Sequence, residues 1–352
     1  MPRRRPLLEL AAHVAPGRPQ QRGARRLRAR GAALNSRVEH GDCLERLPLL
    51  RASGERFDLI YVDPPFNAGG KRRARLETGV ERARGTFAYD DHFGDVDAFL
   101  GMLEPRLAAM RGCLSERGSL WLHLSHHTVH EAKCAADRVF GRGGFRGEII
   151  WIPGNGSRRR NGPSVTHQTI LIYSRGPELI WNGADAALRE PYAETSLRMH
   201  FREQDAAGRR YRERTIAGKV YRYYADEGRR LGSVWADCPA MNANTPLTRE
   251  TTGYPTQKPE ALLERIVRAA SLPESHVLDP MCGSGTTLAV AARLGRYCVG
   301  IDQSPVACGI ARARLSAILG YTEASPSSGP SGETAEEADA RLQPVRRADR
   351  AV

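Results

Sequence analysis

The sequence predicts a three-layer α/β domain with a doubly wound, mostly parallel sheet that carries an inserted module. Short apolar runs bounded by turn residues alternate with segments of helical periodicity, as in a parallel sheet flanked by helices. A Gly-rich turn also joins a strand-like run to a helical one, where such folds bind ligands. Strands are expected at 57–62, 119–124, 148–152, 169–173, 276–278 and 298–301, and helices at 96–114 and 259–270.

Composition divides the 352 residues into a central region and two tails. Residues 1–34 are rich in Arg, Pro and Gly without an apolar period, so we expect a basic disordered arm. Residues 321–352 include a run of Ser, Pro and Gly and are expected to form a disordered tail. The segment 153–250 mixes Arg with Tyr and Trp and lacks the alternation of strands and helices. We expect it to be inserted between two halves of the main domain, 35–152 and 251–320.

Charge and cysteine content limit the classes of partner and compartment. Lys and Arg outnumber Asp and Glu by 53 to 40, and the net charge of +13 favours a polyanionic partner without identifying it. Seven cysteines without a C-x-x-C pair predict neither a disulfide framework nor a zinc knuckle, and they indicate a reducing cytoplasm. No apolar run approaches the length of a membrane span, so no membrane partner is expected.

The first chemical motif is Asp63-Pro64-Pro65-Phe66, directly after the strand expected at 57–62. Ligands of doubly wound sheets bind outside the carboxyl ends of the strands, where this loop lies. The prolines remove backbone donors and leave the Asp63 carboxylate and the Pro64 carbonyl as acceptors, which could hold one amino group with its lone pair toward an electrophile. Phe66 offers a ring for stacking a flipped base. For the tetrapeptide alone, a tight turn with a helix-capping Asp is slightly favoured.

The second motif is the Gly-rich turn within 277–287, which leads into a helical run. Such a turn aims backbone N–H groups and a helix N-terminus at an anion. It lacks the lysine of a P-loop, and Leu288 stands where a dinucleotide fingerprint has its third glycine. A small carboxylate remains, such as the methionine end of S-adenosylmethionine. The candidate binding residues are Asp279, Pro280, Cys282, Gly283, Ser284, Gly285 and Thr286.

A carboxylate follows about twenty residues later, where Asp302 ends the next strand-like run. In dinucleotide folds a carboxylate at this position binds ribose hydroxyls. We predict the same role for Asp302, in preference to a helix cap for the stretch that begins at Ser304.

Together these motifs resemble those of the β-class site-specific DNA amino-methyltransferases, whose catalytic motif precedes the cofactor motif. The resemblance runs from about residue 35 to residue 319, and Met281 stands where the family usually has Phe. It implies a Rossmann-like methyltransferase fold with permuted motif order, and S-adenosylmethionine as the cofactor, with Asp42 and Lys258 among its contacts. The matching segments are Gly41-Asp42-Cys43-Leu44, Asp63-Pro64-Pro65-Phe66-Asn67, Gly253-Tyr254-Pro255-Thr256-Gln257-Lys258-Pro259 and residues 279–287.

The resemblance further implies methyl transfer to adenine N6 in double-stranded DNA, in a cytoplasmic, nucleoid-associated enzyme. Asp63, Pro64, Pro65 and Phe66 would be its catalytic residues. Cytosine N4 is the nearest alternative target, and a non-catalytic DNA-binding protein that retains the fold is an alternative of another class. RNA or protein glutamine as the substrate is disfavoured because the cofactor loop comes last. A cognate restriction endonuclease and a homodimer remain open.

The segment 153–250 would then be the target-recognition module, because it interleaves cations with aromatic residues. The histidines between 123 and 130 include pairs at a spacing that could hold zinc, but they straddle an element boundary, so we expect roles at the surface or behind the site and no metal. The residues predicted to contact DNA are Arg158, Arg159, Arg160, Arg210 and Arg212.

Overall fold

A computed structural model describes residues 36–67, 70–74, 86–156, 159–241 and 250–320. The expected arm at 1–34 and tail at 321–352 lie outside the described residues, as does Arg158. In the part of the chain that is described, no helix has both the length and the apolar character required to cross a membrane.

Strands and helices alternate through most of the described chain. The helices are α1 Cys43–Ala52, α2 Val96–Cys113, α3 Val129–Phe140, α4 Glu194–His200, α5 Glu260–Ala270, α6 Thr286–Arg293 and α7 Pro305–Leu319. The strands are β1 Arg37–His40, β2 Phe57–Val62, β3 Lys71–Ala74, β4 Thr86–Asp90, β5 Leu114–Leu124, β6 Phe145–Trp151, β7 Gln168–Ser174, β8 Arg189–Glu190, β9 Glu203–Gln204, β10 Arg210–Ile216, β11 Lys219–Tyr224, β12 Arg229–Arg230, β13 Val234–Trp235, β14 His276–Asp279 and β15 Tyr297–Asp302.

Eight strands form one central sheet in the order β1-β15-β14-β2-β5-β7-β6-β13. All neighbouring strands run parallel except at β7, which is antiparallel to both β5 and β6. The carboxyl ends of the other seven strands therefore lie at the same edge of the sheet. The mostly parallel sheet predicted from the sequence is confirmed.

Helices cover both faces of this sheet. Along β2, Leu59 and Tyr61 pack in one apolar core with α5, α6 and α7, whereas Ile60 and Val62 pack in the other core with α1, α2 and α3. Successive side chains of a strand point to opposite faces, so a strand covered on both sides must be apolar throughout. The apolar run from Leu59 to Val62 within β2 therefore indicates the three layers, which the structure has.

The segment predicted as an inserted module, 153–250, contributes two strands to the central sheet. β7 is apolar along most of its length and buried, so its side chains require a core on both faces of the sheet. β13 pairs with β6 at the sheet edge and buries Trp235. The remaining strands of the segment form two small sheets, β11-β10-β9 and β12-β8. The predicted boundaries at 153 and 250 therefore do not separate the central sheet from the additional strands, because β7 and β13 belong to the central sheet.

A hairpin of β3 and β4, which the sequence pattern did not indicate, follows the tetrapeptide that begins at Asp63. Ala74 of β3 and Ala88 of β4 are buried against Tyr254 and Ala307. The small alanine side chains let the hairpin lie close to the cofactor half of the domain. It thereby adds a wall to the carboxyl edge of the sheet.

Gly285 and Gly309 provide a test of the turn before α6. Gly285 has a φ of +74°, and a Cβ there would lie 2.8 Å from the Cβ and 3.0 Å from the Cα of Ala311. Gly285→Ala should therefore lower the free energy of unfolding by about 2 kcal/mol or more. Gly309 lies exposed within α7 with no atom near its missing Cβ, so Gly309→Ala should raise it by about 0.5–1 kcal/mol. Urea denaturation that shifts both variants in the same direction would contradict this geometry.

Candidate active site

A cleft of about 790 Å³ lies at the carboxyl edge of the parallel strands. It is lined by residues that follow β1, β2, β14 and β15, and on one side by β3 and β4. The residues predicted for catalysis and cofactor binding all line this cleft, with the exception of Gly285; they are Asp42, Asp63, Pro64, Pro65, Phe66, Lys258, Asp279, Pro280, Cys282, Gly283, Ser284, Thr286 and Asp302.

Asp63 follows the last residue of β2 and forms an ion pair with Lys258. The buried Lys258 ammonium donates to Oδ2 of Asp63. Oδ1 is shielded from solvent, and no donor in the described parts of the chain reaches it. Burial raises the pKa of Asp63, and the charge and hydrogen bond of Lys258 oppose this shift. A buried acceptor without a donor is costly, so Oδ1 is poised to accept a hydrogen bond from a ligand.

Phe66 is close to both this ion pair and a buried histidine. The Lys258 Nζ atom is 5.0 Å from the centroid of the Phe66 ring, and the His123 ring centroid is 6.1 Å from it. His123 shares a 2.8 Å hydrogen bond with the Tyr61 hydroxyl. Burial, followed by the nearby charge of Lys258, holds the pKa of His123 well below its usual value. His123 is therefore a neutral ring that supports Phe66 from behind the site.

The loop of Asp63-Pro64-Pro65-Phe66 is closed by contacts with residues just after β4. The backbone N–H of Asn67 donates to Asp91 Oδ1 at 3.0 Å, and the Asn67 side-chain oxygen accepts from the backbone N–H of Phe93 at 2.9 Å. Arg72 of β3 pairs with the other oxygen of Asp91 at 2.9 Å. The tetrapeptide is thus held against the hairpin by Arg72, Asp91 and Phe93, none of which belongs to a motif recognised in the sequence.

Two buried carboxylates hold the Gly-rich turn. The Thr287 hydroxyl donates to Asp279 at 2.6 Å, and the backbone N–H groups of Gly283 and Ser304 each donate to Asp302 at 2.8 Å. Burial raises the pKa of Asp279 to about 7, and it also raises the pKa of Asp302. These carboxylates therefore shape the loop, and they carry their charge at a high desolvation cost.

The aspartates that line the cleft outnumber its basic residues. Lys258 pairs with Asp63, and the other two basic residues also pair with one aspartate each. Asp279 and Asp302 have no Lys or Arg partner among the described residues. A ligand with net positive charge is therefore favoured in this cleft. The complete set comprises Asp42, Asp63, Asp91, Asp279 and Asp302, against Arg72, Arg106 and Lys258.

Asp42, predicted to contact the cofactor, already has partners on both carboxylate oxygens. Oδ1 accepts from the backbone N–H of Leu44 at 2.8 Å and caps α1, and Oδ2 accepts from Arg106 at 2.6 Å. Arg106 belongs to α2, and no pattern in the sequence linked it to Asp42. Asp42 therefore differs from Asp63, whose second oxygen has no such partner.

Arg159 and Arg160, two of the residues predicted to bind DNA, lie outside the cleft but at the same edge of the sheet. Both are exposed in the loop after β6, and Arg159 donates to His126 Nε2 at 2.8 Å. His126 and His127 follow β5, and their ring centroids are 3.9 Å apart. A group of basic and titratable side chains therefore lies after β5 and β6, two strands of the same direction that are separated by β7.

Arg210 and Arg212 are instead engaged within the inserted segment. Arg210 donates to the backbone oxygens of Leu197 and Phe201, at the end of α4, at 2.7 and 3.0 Å. The Arg212 guanidinium carbon lies 5.0 Å from the Phe201 ring centroid and 5.6 Å from that of Tyr223. Both side chains therefore hold the small sheet against α4.

Residues 57–313 match the model of a family described as DNA methylase, which comprises N6 and N4 methyltransferases. The chain belongs to this DNA methylase family. The family predicted from the order of the motifs is therefore confirmed, and the matched range includes both the tetrapeptide that begins at Asp63 and the Gly-rich turn.

Individual members share the family's sequence or fold at low identity. The type II methyltransferase M.EcaI of Enterobacter cloacae is 28% identical over 299 residues, which cover 72% of this chain and 64% of that protein. The DNA adenine methyltransferase YhdJ of Escherichia coli is 28% identical over 267 residues, 75% of this chain and 77% of the relative. The structure of the PvuII DNA methyltransferase (cytosine-N4-specific) has a TM-score of 0.50 at 13% identity, over 81% of this chain and 92% of that one, and shows the same fold.

Proposed function

We propose that this chain transfers a methyl group from S-adenosylmethionine to the N6 amino group of adenine in double-stranded DNA. The observation that carries this proposal is the buried Oδ1 atom of Asp63, which has no donor among the described residues. It lies in the cleft of a DNA methylase, next to an aromatic ring that can stack on a base. An amino group on a base is the donor that this oxygen lacks.

The charge of the cleft supports S-adenosylmethionine as the cofactor. When bound, it would supply an electrophilic methyl group on a positively charged sulfonium. Asp279 and Asp302 provide uncompensated negative charge that suits this cation. The start of α6, which no side chain caps, offers backbone donors for the cofactor's carboxylate, whereas the backbone N–H groups of Cys282, Gly283 and Gly285 are bonded within the protein. Lys258, predicted to bind the cofactor, also fixes the orientation of Asp63 in this proposal.

Asp63 and Pro64 would act directly on the amino group. Lys258 holds Oδ2, which leaves Oδ1 and the Pro64 carbonyl to accept the two amino hydrogens and to direct the nitrogen lone pair at the methyl carbon. As the N–C bond forms and the S–C bond breaks, positive charge develops on the nitrogen. Asp63 stabilises that charge and is placed to accept the proton that the nitrogen then loses.

The basic group after β5 and β6 supports a DNA path along the carboxyl edge. Arg159 and Arg160 lie at the same edge as Asp63, together with His126 and His127. Phosphates on either side of a flipped nucleotide would meet this surface. We therefore retain Arg159 and Arg160 as proposed DNA contacts.

Adenine is proposed over cytosine for two reasons. The tetrapeptide begins with Asp, a residue that in this family is associated with adenine as the target, and YhdJ is named as an adenine enzyme.

Duplex DNA methylated by the purified full chain should yield N6-methyladenine in nucleoside mass spectrometry. N4-methylcytosine would instead make cytosine the target. If neither product forms while S-adenosylmethionine and DNA both bind, the non-catalytic alternative holds.

Asp63→Asn should lower the single-turnover rate of DNA methylation at least about a hundredfold, since it removes the negative charge that faces the amino group. The substitution also leaves the buried Lys258 ammonium without its carboxylate partner, so we expect a lower melting temperature and weaker binding of S-adenosylmethionine, and the rate is measured at saturating cofactor. The matched control is Asp58→Asn on the same strand, where Asp58 accepts a hydrogen bond from the Ser115 hydroxyl at 2.7 Å. Near-normal turnover of Asp63→Asn with a lowered melting temperature would show that Asp63 stabilises the fold as a cap and does not act on the base.

The affinity for S-adenosylmethionine, relative to the uncharged thioether S-adenosylhomocysteine, should rise from pH 6 to pH 8. The pKa of Asp279 is about 7, so raising the pH through this range ionises it, and only the sulfonium gains from the new charge. We expect the preference to increase at least about threefold and Asp279→Asn to abolish this dependence. Calorimetry with both ligands measures it, and a preference that is flat or falls with pH would refute the electrostatic assignment.

A further inference from the structure

The outer half of the hairpin formed by β10 and β11 is exposed to solvent, although it carries apolar side chains. A two-residue turn joins the strands, with Ala217 at φ 50° and Gly218 at φ 77°, as in a type I′ turn. Near this turn Ile216, Val220 and Tyr221 are 51%, 62% and 44% exposed. A two-stranded ribbon with apolar side chains in solvent is only marginally stable by itself, so a partner surface is indicated.

One face of this hairpin has balanced charges. Arg222 forms a 2.9 Å ion pair with Glu213, directly across from it, and lies 4.0 Å from the Tyr211 ring centroid. Arg209, on the same face, pairs with Asp226 and with a neighbouring glutamate. These cations are already compensated and would gain little from an anionic partner.

The opposite face, which we call the cationic face, consists of the cross-strand pairs Arg214–Tyr221 and Ile216–Lys219. All four side chains are exposed. No ion pair to Arg214 or Lys219 is formed by the residues that the structure describes. The inner end of the same face is anchored through Arg212, which packs on the Phe201 ring. The outer cations are thus presented on a ribbon that is fixed at its base.

We propose that the cationic face binds the major groove of the DNA substrate, with Arg214, Lys219 and Tyr221 as its contacts. This inference rests on the proposed function, because it assigns the surface by which the enzyme holds its DNA. Two paired strands lie about 4.8 Å apart, and with their side chains they fit a major groove about 12 Å wide. Arg214 can donate two hydrogen bonds to one guanine, and Lys219 can reach a phosphate. A protein partner would not require two uncompensated cations.

The test compares two double variants of the full chain that remove equal charge from opposite faces. Arg214→Gln with Lys219→Gln should weaken duplex binding at least about tenfold and reduce the slope of log affinity against log salt by about one, because Lys219 is the proposed phosphate contact and Arg214 the proposed base contact. Arg209→Gln with Arg222→Gln is the control and should leave the slope near that of the wild type. Fluorescence anisotropy over a salt series measures both. Equal losses in the two variants, or no loss in either, would overturn the proposal.

Two further readouts separate this inference from the proposed function. S-adenosylmethionine affinity and melting temperature should match those of the wild type in both double variants, which shows that the cleft is intact. A wild-type chain that fails to bind S-adenosylmethionine and DNA would refute the proposed function itself.

Sequencing of methylated DNA should show that Arg214→Gln relaxes the requirement for a guanine near the target base. An unchanged sequence requirement with reduced affinity would exclude base contact by Arg214 and overturn the major-groove placement.

Discussion

Parallel pairing of β2, β14 and β15 is the constraint on which the site depends. It brings Asp63, Asp279 and Asp302, the residues at the carboxyl ends of these strands, to one edge of the sheet. Carboxylates that are distant in the chain thereby lie around one cleft. The apolar runs that require burial on both faces of the sheet are therefore also what assembles the polar site.

The cost of burying these carboxylates limits what the cleft can accept. Burial raises the pKa of all three, and only Asp63 has a basic partner among the described residues, Lys258. A cationic ligand would lower this cost, and an amino group would satisfy Oδ1 of Asp63. Binding of both ligands would therefore lower the free-energy cost of holding this charge out of water.

Much of this organisation could be predicted from the sequence because it is encoded locally. The strand expected at 57–62 coincides with β2, and the helix expected at 259–270 differs from α5 by one residue. Motifs of consecutive residues, such as the tetrapeptide at Asp63, also indicate their own position at the sheet edge. The ion pair of Asp63 with Lys258 could not be predicted, since it joins residues 195 positions apart whose approach depends on tertiary packing. The same holds for the partners of Arg210, which are backbone oxygens with no signature in the sequence.

The most direct test of the account is a crystal structure of the full chain with duplex DNA and a non-reactive analogue of S-adenosylmethionine. The central claim is that Oδ1 of Asp63 is reserved for the amino group of the target base. We expect the base to lie flipped out against Phe66, with its amino nitrogen about 2.7–3.2 Å from Oδ1. A flipped base whose amino group contacts other residues, with Asp63 still bonded only to Lys258, would contradict the account.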